Sequence, residues 1–306
     1  MLLKKVYHEG DIELCYYEIK NDRRPLVLIH AQGVDALSFR ETFSALSKKF
    51  HIYSVDCYGH GGSSHQAEKY NITDIGTAMI SFLNNVVQRK VYLLGHSSGG
   101  LIAAYIAAQT DLCEKLILED PPFFSSQGER RRETYNYIDL STACHRFISQ
   151  TECRDFVLYY FANQYAWNFF PEKSRASTKE KLVNMAAKYH KKHPDKDLKV
   201  MFWPKTARSG FRGMNHYDPL FGETFYDDSF HSGISHEDLL KEIRCETVFL
   251  KARTQFSKDG ILMAALSEED VKRVSELISA CHVIHFDCGH GIHVEKKREF
   301  IACLLD

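Results

Sequence analysis

The chain has 306 residues, of which 44% are hydrophobic and 26% are charged, a composition typical of a globular protein with a sizeable core. Its formal net charge of −1 argues against a dedicated nucleic-acid binder, because no excess of Lys and Arg is available to neutralise phosphates. No stretch approaches the ~18 consecutive apolar residues of a membrane span, so we expect none.

Strand and helix patterns alternate over the first 120 residues. Two strands joined by a turn at residues 9–11 are expected to pair antiparallel. Apolar runs and helical spacings then predict the remaining elements. The predicted strands are 5–8, 12–19, 25–30, 51–56, 91–94 and 115–119, and the predicted helices are 38–49, 71–87 and 101–109. Strands that alternate with helices indicate an α/β fold with a mostly parallel, doubly wound sheet.

The alternation breaks after residue 120 and resumes at residue 236. The intervening segment is rich in aromatic residues, among them Phe156, Tyr160, Phe202 and Trp203. Beyond it we predict strands at 246–251 and 282–286 and helices at 236–243, 267–279 and 295–304. The sequence therefore predicts an eight-stranded α/β core, residues 1–120 and 236–306, interrupted by a mainly helical insertion, residues 121–235. An insertion at strand ends is well placed to cover a ligand crevice at the carboxyl edge of the sheet.

Residues 95–99 read Gly-His-Ser-Ser-Gly between a predicted strand and a predicted helix. This context is typical of a nucleophile elbow, in which a serine stands on a sharp turn. Glycines suit the flanking positions because side chains there would collide with the strand and the helix. Ser97 is therefore the candidate nucleophile.

A serine hydroxyl needs a base and oxyanion donors in order to attack a carbonyl. The candidate base is His290, which lies in a Gly-His-Gly turn between the predicted strand 282–286 and a helix. The backbone N–H of Ser98, the residue after the nucleophile, is one expected oxyanion donor. The second is assigned to Gln32, in the turn after strand 25–30.

Four short motifs together resemble the α/β-hydrolase family over nearly the whole chain. They are the oxyanion loop His-Ala-Gln-Gly at 30–33, the turn Asp-Cys-Tyr-Gly-His-Gly-Gly-Ser at 56–63, the elbow at 95–99 and Gly-His at 289–290. The first departs from the family pattern by an alanine in place of a glycine. The resemblance implies that the insertion is a cap domain and that Ser97 and His290 are nucleophile and base.

The acidic member of the triad is not where the family usually places it. Residues 252–255, after strand 246–251, read Ala-Arg-Thr-Gln and contain no carboxylate. Asp259 precedes Gly-Ile-Leu, similar to a family signature, but needs a lengthened loop. Asp120 ends the strand after the elbow helix, a position used by pancreatic-type lipases and some haloalkane dehalogenases of this fold. A strand end holds a carboxylate more rigidly, which favours Asp120 slightly, and both candidates stay open. Glu119 should point to the opposite face.

Serine, histidine and an acid with oxyanion donors imply acyl transfer through an acyl-enzyme. We expect a carboxylic ester hydrolase, or a lactone or thioester hydrolase, acting on an apolar or aromatic small molecule. A carbon–carbon bond hydrolase of the same fold and a non-catalytic binding protein on this scaffold are the alternatives. The insertion's aromatics equally suit a core of their own. Arg130, Arg131 and Arg132 could meet a substrate carboxylate, although a solvated face is the simpler interpretation.

The cysteines and histidines bear on compartment and metal. The nine cysteines show no Cys-x-x-Cys spacing, and their odd number favours reduced thiols in a cytoplasmic protein over a disulfide framework. Residues 289–293 contain two histidines, but not at the His-x-x-x-His spacing that places two ligands on one helix face. We expect neither a metal nor another cofactor, and the oligomeric state stays open.

Overall fold

An eight-stranded sheet forms the centre of the protein. The structure, a computed structural model, describes residues 1–199, 208 and 210–305. The strands are β1 Leu2–Glu9, β2 Ile12–Ile19, β3 Arg24–Ile29, β4 Phe50–Val55, β5 Val91–His96, β6 Cys113–Glu119, β7 Glu246–Lys251 and β8 Cys281–His285. Their order is β1-β2-β4-β3-β5-β6-β7-β8. β2 pairs antiparallel with β1 and β4, and the other pairs are parallel. The predicted α/β fold with a mostly parallel eight-stranded sheet is confirmed.

Hydrophobic layers cover both faces of the central strands. Leu26 and Leu28 of β3 belong to one apolar cluster, whereas Val27 and Ile29 belong to the other. Successive side chains of a strand point to opposite faces, so a strand covered on both sides is apolar throughout. This explains the unbroken apolar run that marks β3 in the sequence.

Helices of the α/β core flank this sheet. They are Phe43–Leu46, Ile72–Phe82, Ser98–Gln109, His236–Lys241, Glu268–Leu277, Ile292–Glu295 and Lys297–Leu305, with short 3-10 turns at Ala36–Phe39 and Ala67–Lys69 and a π turn at Leu83–Val87. The single helix predicted over 38–49 is wrong, because two short pieces take its place. Between them the Thr42 hydroxyl donates to the Phe39 carbonyl at 2.7 Å, a local bond that competes with helix continuation.

The segment between β6 and β7 consists of helices, helical turns and loops. In its described residues, every element longer than one residue is helical. Its helices are Thr142–Ile148, Phe156–Asn163, Glu172–Lys192 and Pro219–Tyr226, with 3-10 or π turns at Gly128–Glu133, Tyr137–Ser141, Tyr165–Phe169, Met214–His216 and Ser229–His231. Many of its aromatics pack on one another, as Phe225 does on Phe230 with ring centroids 4.3 Å apart. Phe202 and Trp203 lie outside the described residues. None of the described helices combines the length and apolarity that crossing a membrane requires.

The elbow has no room for side chains at its two glycines. A Cβ atom on Gly95 would lie 2.2 Å from the Gly99 carbonyl oxygen, and one on Gly99 would lie 2.4 Å from the His30 carbonyl oxygen. Backbone atoms cannot yield as a flexible side chain does, so only glycine fits. The helix Ser98–Gln109 thus rests directly on the backbone of β5 and of the loop after β3.

We predict that Gly99→Ala lowers the free energy of unfolding by about 3 kcal/mol or more, because the methyl group forces backbone segments apart. Urea denaturation followed by circular dichroism measures this. Gly291→Ala is the matched control, since its φ is −91° and the added Cβ would meet nothing closer than 3.6 Å. Equal stability losses in the two variants would contradict the packing argument.

Candidate active site

Ser97 stands at the crest of the turn between β5 and the helix Ser98–Gln109. Its backbone has φ 55° and ψ −121°, a strained conformation for a residue with a side chain. Backbone bonds hold it: its N–H donates to the Glu119 carbonyl at 2.9 Å, and its carbonyl accepts from Gly100 N at 2.8 Å and from Leu101 N at 3.4 Å. The side chain lines a cavity that His290 also lines. Strain and exposure at one serine are the geometry of a nucleophile elbow.

The structure brings Asp120 to His290. Asp120 Oδ2 and His290 Nδ1 are 2.8 Å apart, and the carboxylate is fully buried while the imidazole is partly exposed. The other carboxylate oxygen accepts from Ala252 N at 3.2 Å, and Asp120 N donates to the Leu250 carbonyl, which ties the acid to the end of β7. A carboxylate bonded to Nδ1 places the ring's proton there and leaves Nε2 free to accept one. Among the described residues, no hydrogen bond joins His290 to the Ser97 hydroxyl.

Asp259 is not brought to this histidine. It lies exposed in the loop after β7, where its N–H donates to Ser257 Oγ. Ser257 N also donates to the Ile261 carbonyl, so residues 257–261 form a local turn of their own. Asp259 therefore stays in a surface turn and does not line the cavity, although Met263, Ala264 and Ala265 of the same loop do.

The two expected oxyanion donors face the same cavity. Gln32 and Ser98 both line it, and neither N–H donates to any described acceptor. Ser98 is the first residue of its helix, where N–H groups have no partner within the helix and the dipole favours negative charge. The Gln32 side chain donates to the Tyr217 hydroxyl at 2.8 Å, which links the oxyanion loop to the insertion.

Buried polar groups hold the oxyanion loop. The carboxylate of Asp56 accepts from Ala36 N at 2.8 Å and from Gly62 N at 2.9 Å. His30 Nε2 accepts from Cys57 N at 2.9 Å, and burial lowers the pKa of His30, which keeps that nitrogen able to accept. The turn at 56–63 thus supports the loop that carries Gln32.

A second buried carboxylate holds the histidine loop, and sequence reasoning passed over it. Glu119 accepts from His293 N at 2.9 Å and from His293 Nδ1 at 2.8 Å. His96 also contacts this loop, since its Nε2 lies 3.0 Å from the His290 carbonyl oxygen. Burial lowers the pKa of His96 to about 3, so its ring is neutral and donates this bond from Nε2. The loop is therefore bonded at His290 and again at His293.

Charge balance keeps Glu119 ionised. Burial alone would raise its pKa, but the electrostatic interaction with His293 and the hydrogen bonds from the His293 ring and backbone N–H outweigh burial and lower the pKa to about 2. The Glu119 carboxylate and ring nitrogens of His96 and His293 all lie within 4.8 Å of one another, a grouping that could hold a metal ion. The direct bond between Glu119 and His293 already joins two of the three groups, and we interpret the cluster as a hydrogen-bonded support.

Lys251 is a further buried charge that the sequence pattern did not single out. Its Nζ lies 3.8 Å from Asp120 Oδ1, and both side chains are fully buried. The two opposite charges attract each other in the interior. The sequence pattern predicts apolar residues along β7. Only the position of Lys251 at the end of that strand indicates that it could lie beside a buried acid.

The cavity above Ser97 and His290 has a volume of about 580 Å³. Its walls come from both parts of the chain, since the loops of the α/β core supply Ser97 and His290 and the insertion supplies much of the rest. Leu140, Tyr160 and Met214 are examples from the insertion. A cavity of this size accommodates a small organic molecule.

Comparison with known proteins identifies the fold. The family model for the alpha/beta hydrolase fold matches residues 24–171. The thioesterase domain of a curacin biosynthetic pathway superposes with a TM-score of 0.66 at 16% identity, covering 100% of this chain and 99% of that one. The chain therefore has the alpha/beta hydrolase fold. An N-formylmaleamic acid deformylase from Pseudomonas putida S16 has the same fold, with a TM-score of 0.68 at 17% identity over 99% of this chain and 100% of its own.

Curated relatives match this chain over part of their length. An (E)-2-((N-methylformamido)methylene)succinate hydrolase of Acinetobacter baylyi is 25% identical over 49% of this chain and 60% of its own. A pimeloyl-[acyl-carrier protein] methyl ester esterase of Vibrio cholerae is 30% identical over 38% of this chain and 44% of its own. The chain therefore spans 60% or less of these two relatives.

We predict that Asp120→Asn lowers kcat for 4-nitrophenyl acetate by about a hundredfold or more, because the amide no longer holds the His290 proton on Nδ1. Asp259→Asn is the matched control and should change kcat by less than about twofold. Steady-state kinetics of the two folded variants decides between the acids. A large loss in Asp259→Asn alone would contradict the assignment.

We also predict that Glu119→Gln lowers the free energy of unfolding by about 3 kcal/mol, because it removes one partner of a buried pair. A carboxylate whose pKa is lowered on folding stabilises above its ordinary pKa of 4.5, and this contribution is lost as the pH falls towards 2. The difference from the wild type should therefore shrink between these pH values in urea titrations. Glu114→Gln, on the same strand but exposed and paired with Arg24, should cost less than about 1 kcal/mol. A pH-independent difference would refute the linkage.

Proposed function

We propose that this protein is a serine hydrolase that cleaves a carboxylic ester, or a lactone or thioester, of a small and largely apolar molecule. The observation that carries the proposal is the 2.8 Å bond between His290 and the buried Asp120, in a cavity that also contains the strained Ser97. A buried acid bonded to a partly exposed imidazole beside an elbow serine is the arrangement that acyl transfer needs.

The reaction follows from these positions. As Ser97 Oγ attacks the ester carbonyl carbon, its proton passes to His290 Nε2. The tetrahedral intermediate expels the alcohol, which takes that proton, and leaves an acyl group on Ser97. Water then attacks the acyl-enzyme with His290 as base, which releases the carboxylic acid and restores the hydroxyl. Asp120 stabilises the imidazolium that forms in each half of the reaction.

The oxyanion forms during both attacks. We assign its stabilisation to the N–H groups of Gln32 and Ser98, because both lack described acceptors and belong to residues that line the cavity. One such donor contributes about 3 kcal/mol of transition-state stabilisation in serine hydrolases. The insertion, residues 121–235, acts as the cap that shapes the acyl or alcohol pocket.

The relatives support hydrolysis of a small carbonyl compound. The curated relatives are named as a hydrolase and as a methyl ester esterase, and the solved structures of similar fold include an enol-lactonase from Burkholderia xenovorans LB400.

All nine cysteines are free thiols, which supports a reducing compartment such as the cytoplasm.

We expect a fluorophosphonate probe to label the wild-type protein and short-chain aryl esters to be hydrolysed, and Ser97→Ala to lose both. The acyl-enzyme cannot form without the hydroxyl, so kcat should fall by about ten-thousandfold or more. Labelling detected by intact-protein mass spectrometry, together with the release of nitrophenolate, measures this. Ser229→Ala, an exposed serine of the insertion, is the control and should behave as the wild type. A folded wild-type protein that neither reacts with the probe nor turns over any ester would indicate a binding protein on this scaffold.

A further inference from the structure

Arg131 is a buried cation in the wall of the catalytic cavity. It belongs to the 3-10 turn Gly128–Glu133, is only 7% exposed and lines the cavity that contains Ser97. Its neighbours in sequence are neutralised. Arg130 forms a two-pronged pair with Asp270, and Arg132 lies 3.0 Å from Glu129. Arg131 has no carboxylate within 4.0 Å among the described residues, so it differs from both.

Neutral groups hold the Arg131 guanidinium in place. Its Nε donates to the Tyr226 carbonyl at 3.1 Å and its Nη1 to the Gly128 carbonyl at 2.5 Å. The ring of Tyr137 lies 5.8 Å from the guanidinium carbon. These contacts orient the fork without cancelling its charge, and Nη2 donates to no described acceptor. The guanidinium therefore retains donors and an uncompensated charge next to the cavity.

The other charged residues that line the cavity do not neutralise Arg131. Asp139, the acid buried in the same wall, accepts from the Tyr160 hydroxyl at 2.6 Å and from Tyr165 N, and forms no ion pair with Arg131. The other acids that line the cavity are Glu41 and Asp197, and the other cations are Lys199, Arg208 and Arg212. A desolvated cation without a counter-ion is costly, and an anionic ligand would remove that cost.

We propose that Arg131 binds a carboxylate carried by the substrate away from the bond that is cleaved. The inference rests on the proposed serine hydrolase and narrows its substrate to the monoanion of an otherwise apolar acyl compound. A planar carboxylate matches the planar guanidinium fork and its unused donors. Arg131, a buried cation of the wall that pairs with no carboxylate of the described residues, then selects a molecule with one anionic end and one ester end.

The test compares esters that differ only in that charge. Mono-4-nitrophenyl adipate and 4-nitrophenyl hexanoate have acyl chains of equal length, as do the glutarate and pentanoate and the suberate and octanoate pairs. A leaving-group pair, the hexanoyl esters of 4-hydroxybenzoate and of phenol, places the carboxylate on the other side of the ester. For each pair the readout is the ratio of kcat/KM values, which does not depend on how much of a variant folds.

For at least one pair, the wild type should favour the anionic ester, and Arg131→Met should lower the ratio by about tenfold or more through loss of a charge-assisted bond. Arg131→Lys should fall between the two, since it keeps the charge but not the fork. Arg132→Met is the matched control and should leave every ratio within about twofold of the wild type. Ratios that do not change in Arg131→Met for any pair would overturn the proposal.

This result is separate from the fate of the proposed function. Activity on the neutral esters that depends on Ser97, with ratios insensitive to Arg131, would leave the hydrolase intact and reject only the carboxylate site. Absence of activity on every ester and of fluorophosphonate labelling would reject the hydrolase itself and, with it, the substrate inferred for Arg131.

Discussion

The site depends on two buried carboxylates that are adjacent in sequence at the end of β6. Glu119 and Asp120 are both fully buried, and a buried carboxylate is tolerated only with close hydrogen-bond and charge partners. Glu119 is bonded to His293, and Asp120 is bonded to His290. The segment after β8 supplies both histidines, His290 from the loop and His293 from the helix Ile292–Glu295. The hydrogen bonds that these two buried carboxylates require therefore fix the position of that segment relative to the sheet.

The remaining geometry follows from this attachment. Asp120 has a positive φ of 46°, which turns the chain sharply out of β6, while Glu119 ends the strand itself. The carbonyl of Glu119 also accepts the N–H of Ser97. One strand end thus holds the elbow and the histidine loop at once. Ser97 and His290 line one cavity because Ser97 is bonded to Glu119 and His290 to Asp120, two adjacent residues at the end of β6.

The elbow and the insertion complete the cavity in different ways. Gly95 and Gly99 allow backbone to meet backbone, so the floor of the cavity has little freedom. The insertion instead contributes side chains, including the charged Arg131, which donates only to backbone carbonyls among the described residues. We infer that the elbow at the floor of the cavity determines the reaction and that the side chains of the insertion determine the substrate. This is expected when functional residues are carried by loops on a stable scaffold.

Much of the fold could be read from residue patterns, because strands buried on both faces are apolar throughout and helices repeat every 3.6 residues. The eight strands were found, with ends displaced by a few residues. The helix predicted at 38–49 failed because a threonine hydroxyl bonds locally, which periodicity does not register. The alternation of side chains along a strand predicts that Glu119 points to the face opposite Asp120. It does not predict what Glu119 contacts on that face. Arg131 and its two neighbours look alike in sequence, and only their contacts distinguish them.

The sequence by itself determined the α/β fold, the elbow around Ser97 and the histidine at 290, since each depends on local residue order. It left Asp120 and Asp259 nearly equal, because both stand after strands and the distance to His290 is not a local property. The tertiary structure decided which carboxylate meets the histidine. It did so through burial: Asp120 lies where strands and loops converge, whereas Asp259 lies exposed in a local turn, residues 257–261.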